Sequence, residues 1–216
     1  MIKLLIFDWD GTLFDSINTI CSCMLLAGKL AGANEKTAAQ VQNIIGLGLN
    51  EAVELVWGEA PLSMRNAIVA HYKTEFMKGA HIPPAPYDGV LSVLDSLKAA
   101  GYVLAVATGK SRRGLDRALE ATATGGYFAA TRCADETVSK PDPLMLNELL
   151  AELNIPAEEA LMIGDTEYDL AMASNAGMRS IGVSYGAHEV HRLLAHNPLK
   201  VIDHFPELLD ILQESI

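Results

Sequence analysis

Four short apolar runs, each closed by a turn and separated from the next by stretches of helical pattern, constrain the fold of this chain more than any other feature. They are Ile2 to Phe7 ("IKLLIF"), Tyr102 to Ala107 ("YVLAVA"), Ala160 to Ile163 ("ALMI") and Arg179 to Val183 ("RSIGV"). Runs this continuous suit strands of a parallel sheet covered on both faces, where neither face needs polar side chains. The intervening segment "DGVLSVLDSLKAAG" sets Val90, Leu91, Val93, Leu94 and Leu97 on an apolar stripe and ends in a glycine that suits a helix terminus. "DPLMLNELLAELNI" does likewise with Leu144, Leu146, Leu149, Leu150 and Leu153. Strands alternating with helices of this length imply right-handed βαβ units, an α/β fold around a mostly parallel sheet with helices on both faces. With 216 residues, half of them apolar, the chain can bury the core of one such domain and a smaller attachment.

From Ser16 to about Ile82 the alternation stops and only helical patterns appear: "SINTICSCMLLAGKLAGA", "EKTAAQVQNII", "NEAVELVWG" and "LSMRNAIVAHYKTEFMKGA". An all-helical insertion after the first strand is expected, with residues 16–83 as a cap and residues 1–15 and 84–216 as the α/β core. The return runs through "HIPPAPYDG", whose prolines stiffen it into a candidate hinge.

The chemistry gathers at the ends of the strands, where open α/β sheets bind their ligands. "FDWDGT" follows the first run, so Asp8 and Asp10 can face one crevice while Trp9 points elsewhere. Gly11 permits a tight turn, and Thr12 offers a hydroxyl and an N–H to an anion. D-x-D-G-T arises by chance at roughly one position in 10⁵ given average residue usage. After the second run come Thr108, Gly109 and Lys110, a hydroxyl and exposed N–H groups at the head of a helix, a natural seat for a phosphate. "SKPDP" holds Lys140 in a rigid turn. "GDTEYD" places Asp165 at a strand end and Asp169 four residues on, either converging on one point or simply capping a helix.

D-x-D-G-T, Thr-Gly, Lys-Pro and G-D-x-x-x-D in that order resemble the haloacid-dehalogenase superfamily of phosphotransferases, over essentially the whole chain. The resemblance is greatest to its phosphoglycolate phosphatase-like branch, on "FDWDGTLFDS", "ATGKS", "SKPDP" and "GDTEYDLAMASNAG". It implies a Rossmann-like core with a small mobile cap. It also implies Asp8 as nucleophile, Asp10 as general acid/base, and Thr108, Gly109 and Lys140 as phosphate ligands. Asp8, Asp165 and the main chain of Asp10 would hold Mg²⁺, supported by Asp169. The expected activity is hydrolysis of a small phosphomonoester such as phosphoglycolate or a sugar phosphate through an aspartyl-phosphate. A phosphomutase or pyrophosphatase of the same superfamily, or a phospho-accepting regulatory module without fast turnover, are the alternatives.

A formal charge of −11, from 27 acids and 16 Lys+Arg, argues against nucleic acid or an anionic membrane as partner. Cys21, Cys23 and Cys133 form no paired framework and read as small apolar residues of a reducing compartment. Without a signal-like opening or an uncharged run near the ~20 residues of a bilayer span, a soluble cytoplasmic protein, monomer or homodimer, is expected. Gly46 and Gly48, in "IIGLGLNEAVE", either approach a ligand or make a plain interhelical loop. Lys110, Arg112 and Arg113 either add positive charge to the site or form a solvated helix start. The six histidines show no ligand spacing and, like Trp9 and Trp57, are assigned no chemistry.

Overall fold

The computed structural model describes residues 1–78 and 84–214. Six parallel strands form one sheet: β1 (Leu4–Phe7), β2 (Val103–Thr108), β3 (Ala130–Cys133), β4 (Ala160–Gly164), β5 (Arg179–Val183) and β6 (Lys200–Ile202), in the order β3-β2-β1-β4-β5-β6. β1 lies at the centre, pairing with β2 through Leu4↔Val103 to Phe7↔Val106 and with β4 through Leu4↔Ala160 to Phe7↔Ile163. The order reverses between β1 and β4, so their carboxyl ends open the crevice where such sheets bind ligands.

All four residues of β1 are buried because both sheet faces are covered, as its apolar run requires. Leu5 and Phe7 point to one face, where α5 (Val90–Ala99) supplies Val90, Val93, Leu94 and Leu97, and α10 (Glu207–Gln213) supplies Leu208 and Ile211. Leu4 and Ile6 point to the other, against Met145, Leu146 and Leu149 of α7 (Leu144–Leu153) and Met172 and Ala173 of α8 (Glu167–Asn175). The remaining helices flanking the sheet are α6 (Arg112–Thr122) and α9 (Val190–Leu194).

β3 and β6 belong to the sheet although no apolar run announces them. As edge strands they have fewer neighbours to bury: Thr131 and Arg132 of β3 stay half-buried, and β6 has only three residues, one of them exposed.

Between β1 and α5 the chain forms α1 (Ile17–Leu30), α2 (Ala38–Gln42), α3 (Leu49–Trp57) and α4 (Leu62–Lys78), as its helical patterns predict. They bury a separate apolar cluster including Ile20, Met24, Ile45, Val53, Trp57 and Ile68, joined from the sheet side by Ala187. The outgoing and returning chains run side by side, with Asp15 N donating to Ala85 O at 2.9 Å and Tyr87 N to Leu13 O at 3.1 Å. Of the candidate hinge, His81 to Pro83 lie outside the described residues, as does the expected boundary at 83. No helix of the described residues is long and apolar enough to cross a membrane.

Candidate active site

At the end of β1 the chain turns sharply, with Leu13 N and Phe14 N both donating to Trp9 O. Trp9 is directed away from the crevice and stacks on Phe14, ring centroids 4.5 Å apart. Asp8 is thereby aimed into the crevice. Gly11 adopts φ +79°, and a β-carbon there would lie 2.2 Å from Asp165 Oδ2. Only glycine lets the turn come so close to the loop after β4.

Asp8, Asp165 and Asp169 are buried together, with one carboxylate oxygen of each within 4.8 Å of the others. Lys140 lies between two of them, its Nζ 2.9 Å from Asp8 Oδ1 and 2.6 Å from Asp169 Oδ1. Burial alone would lower the pKa of this lysine, but Asp169 and Asp8 outweigh burial and hold it charged. The Lys140–Pro141 peptide is cis.

Asp169 does both jobs left open by its sequence. Its Oδ2 accepts from Thr166 N and Oγ1 in a capping box at the start of α8, while its Oδ1 takes Lys140. Asp165 accepts from Thr12 Oγ1 at 2.8 Å and from Ala187 N at 2.7 Å. The Thr12 hydroxyl is therefore committed to a carboxylate instead of being free for an anion. Burial lifts the Asp165 pKa to about 7, with Asp169 adding to the rise and the Ala187 N–H, Thr12 and Lys140 opposing it. Burial also raises Asp8 well above the usual carboxylate range; Lys140 opposes this, and Asp169, Asp165 and Asp10 reinforce it.

Asp8 Oδ2 has no hydrogen-bond partner although it is buried. An orphaned charged atom costs several kcal/mol, and at ~4 Å two like charges repel by about 4 kcal/mol even at an effective dielectric of 20. One lysine cannot neutralise three carboxylates. An all-oxygen donor set with an unpartnered atom and an excess of negative charge fits a hard divalent cation, which Asp8 and Asp165 could hold.

Asp10 faces the same crevice from the other side of the turn. Lys110 Nζ lies 2.8 Å from its Oδ1, and the Ser16 hydroxyl donates to the same oxygen. Ser16 sits at the start of α1 but makes no side-chain cap there, its hydroxyl being spent on Asp10. Thr108 ends β2, fully buried, its Oγ1 accepting from Lys110 N at 3.2 Å.

A cavity of about 460 Å³ opens over Asp8 and Asp10, bounded by α1, α3 and α4 on one side and by Gly109 and α6 on the other. Gly46 and Gly48 line it, and Gly48 N donates to Ser139 Oγ at 2.8 Å. A β-carbon on Gly109 would lie 2.6 Å from the carbonyl oxygens of Gly46 and Leu47, so the helical region touches the loop after β2 directly.

Of the three cations left undecided by the sequence, Lys110 and Arg113 line the cavity. Arg112 does not. Its guanidinium goes to Thr131 Oγ1, Asp116 and Glu136.

Sequence reasoning missed Ser16 and the segment 185–188, which carries Ala187 to Asp165 and Tyr185 to Thr12 O. The partners of Tyr185 and Ala187 lie far away in the chain, and although Asp10 is only six residues from Ser16, no motif marks that pair. His188 is buried, its Nδ1 accepting from Glu167 N at 3.1 Å and its Nε2 lying 3.2 Å from Asn43 O. Trp9 and Trp57, with Cys21 and Cys133, are buried in the cores as expected, whereas Cys23 is only half-buried.

These features agree with what the chain is similar to. A family model, haloacid dehalogenase-like hydrolase, matches residues 5–183. The chain belongs to this family. A protein named probable phosphatase IndB from Dickeya dadantii is 35% identical over 97% of this chain and 93% of its own length. A phosphoglycolate phosphatase from Photobacterium profundum is 30% identical over 98% and 96%. The crystal structure of a predicted phosphoglycolate phosphatase from Haemophilus somnus superposes with a TM-score of 0.87, covering 98% of both chains, and at 24% identity speaks for the fold alone. Within the family the chain is a phosphatase, and its buried acidic triad fits the divalent metal site.

Proposed function

We propose that this enzyme is a Mg²⁺-dependent phosphatase for small organic phosphomonoesters, the class that includes phosphoglycolate and sugar phosphates, acting through an aspartyl-phosphate on Asp8. The observation that carries this reading is the pair of acids on one turn, both lining the cavity but with different partners. Asp8 has one oxygen beside Lys140 and the other unpartnered, whereas Asp10 is held by Lys110 and Ser16.

In the first step Asp8 attacks phosphorus, its new P–O bond replacing the bond to the ester oxygen, and Asp10 delivers a proton to the departing alkoxide. Asp10, now ionised, takes a proton from water as that water attacks phosphorus. Inorganic phosphate leaves and Asp8 is regenerated. Lys140, with Thr108 and Gly109 as further phosphate ligands, neutralises and orients the phosphoryl oxygens. Asp8, Asp165 and the main chain of Asp10, supported by Asp169, would hold Mg²⁺, which would supply the positive charge that lets a phosphate dianion approach a carboxylate. Asp165 is kept in place by Thr12 and Ala187, and Asp169 by Thr166. We assign residues 16–83 the role of a cap over a core of 1–15 and 84–216, excluding bulk water once substrate is bound.

Hydrolysis of p-nitrophenyl phosphate with Mg²⁺ and with excess chelator tests the reading. Rapid release abolished by chelator and restored by Mg²⁺ is expected. A stable stoichiometric phosphoprotein without turnover would instead identify a regulatory module.

A further inference from the structure

We infer that the preferred substrate carries an apolar, ring-sized body behind its phosphate and is not a two-carbon acid such as phosphoglycolate; this rests on the phosphatase reading above. The cavity over Asp8 and Asp10 measures about 460 Å³. That falls within the roughly 300–1,000 Å³ typical of sites that enclose drug-sized ligands, far more than a two-carbon body fills.

Part of its lining, on α1 and α4, is apolar, while Lys73, Lys110, Arg113 and Arg117 border it elsewhere. Ile20 and Met24, one turn apart on α1, form one side. Tyr72 and Phe76, one turn apart on α4, form another, their rings stacked with centroids 5.6 Å apart and planes 28° from parallel. Ile20 and Met24 are almost wholly buried in the helical cluster, so the apolar surface open to the cavity comes chiefly from the half-buried Tyr72 and Phe76, with Lys110 Nζ 5.2 Å from the Phe76 ring centroid. Apolar surface left facing water is unfavourable by about 25 cal/mol per Å², so an apolar occupant gains by covering it.

Tyr72 offers a polar handle as well. Its hydroxyl makes no hydrogen bond among the described residues. Desolvation, with Asp10 adding to it, keeps the phenol protonated and a donor. Arg113 and Arg117, on one face of α6, border the cavity, and neither forms an ion pair among the described residues. They provide the local positive potential that an anionic ester needs to approach a chain of net charge −11.

The test compares ethyl phosphate with 2-phenylethyl phosphate on the Mg²⁺-loaded enzyme, with phosphoglycolate alongside. Both phosphate esters expel a primary alkoxide, so their difference reports the body of the substrate and not the leaving group. The expected result is kcat/KM at least about 100-fold higher for 2-phenylethyl phosphate than for either small ester, within reach of the 10–200-fold that apolar pocket contacts provide per group. In F76A, which removes one wall, the ratio measured within the variant should fall at least about tenfold. Equal or better turnover of ethyl phosphate or phosphoglycolate, or an unchanged ratio in F76A, overturns the inference while leaving the phosphatase reading standing. Absence of turnover for all three esters and for p-nitrophenyl phosphate overturns both.

Discussion

Asp8 and Asp10 differ by two positions and share a turn, but their partners separate their chemistry: Lys140 and an unpartnered oxygen for Asp8, Lys110 and Ser16 for Asp10. Replacing Asp8 by Asn keeps its shape and removes the nucleophile, so turnover of every ester should vanish while the unfolding midpoint stays near or above that of the wild type, because one buried charge has gone. Asp10→Asn should lose on the order of 10²–10⁴-fold in kcat, the range for positioned proton transfer. The loss should be smallest for p-nitrophenyl phosphate, whose leaving group needs no proton, and equal losses across leaving groups would contradict the acid role. Lys140 has the opposite structural character. Its side chain is wholly buried between two carboxylates, and removing one partner of a buried ion pair commonly costs about 3–5 kcal/mol. Lys140→Ala should therefore lower stability in a denaturant titration as well as abolish activity, whereas Asp8→Asn should affect activity alone.

Among the elements, the central strands were legible and the edges were not. β1, β2, β4 and β5 are buried at nearly every position and mostly apolar, which makes them visible as runs. In β3, Arg132 instead reaches Glu148 and Glu152 of α7, an edge solution that looks like loop in one dimension. The site followed the same division. Asp8, Asp165 and Asp169 sit at strand ends or helix starts and Lys140 in the short loop ahead of α7, where local motifs reveal them. Thr12 and Ala187 act on Asp165 from 153 and 22 residues away, and only tertiary pairing brings them there. The contact between the helical region and the loop after β2 gives an element-scale prediction. Gly109→Ala would force its β-carbon against Gly46 O and Leu47 O. It should wedge the two apart and raise KM with little change in fold, read by steady-state kinetics beside far-UV circular dichroism.

At the scale of the whole molecule, the acidic cluster couples stability to both pH and metal. Asp165, with an ordinary pKa of 3.8, titrates near 7 in the folded protein, and Asp8 is raised as well. Between about pH 4 and 7 the folded state therefore binds protons that the unfolded chain has already lost. Stability attributable to these groups is present below pH 4 and falls as pH rises through that window. A divalent cation bound only by the folded state offsets the loss, by about 2.7 kcal/mol at 100 times its Kd. Thermal melts of the metal-free protein should show a midpoint contribution declining from pH 5 to 7.5, and Mg²⁺ should raise the midpoint most at the upper end. A Mg²⁺ effect independent of pH would contradict the linkage of these carboxylates to the metal.

The most direct measurement is chemical trapping of the intermediate. The enzyme is mixed with ³²P-labelled phosphomonoester and Mg²⁺, quenched in acid within milliseconds, digested and mapped. Label should appear on the peptide containing Asp8, be lost on treatment with hydroxylamine as an acyl phosphate is, and be absent from Asp8→Asn. Turnover proceeding with no label on that peptide, or with label on another residue, would contradict Asp8 as the atom-to-atom partner of phosphorus.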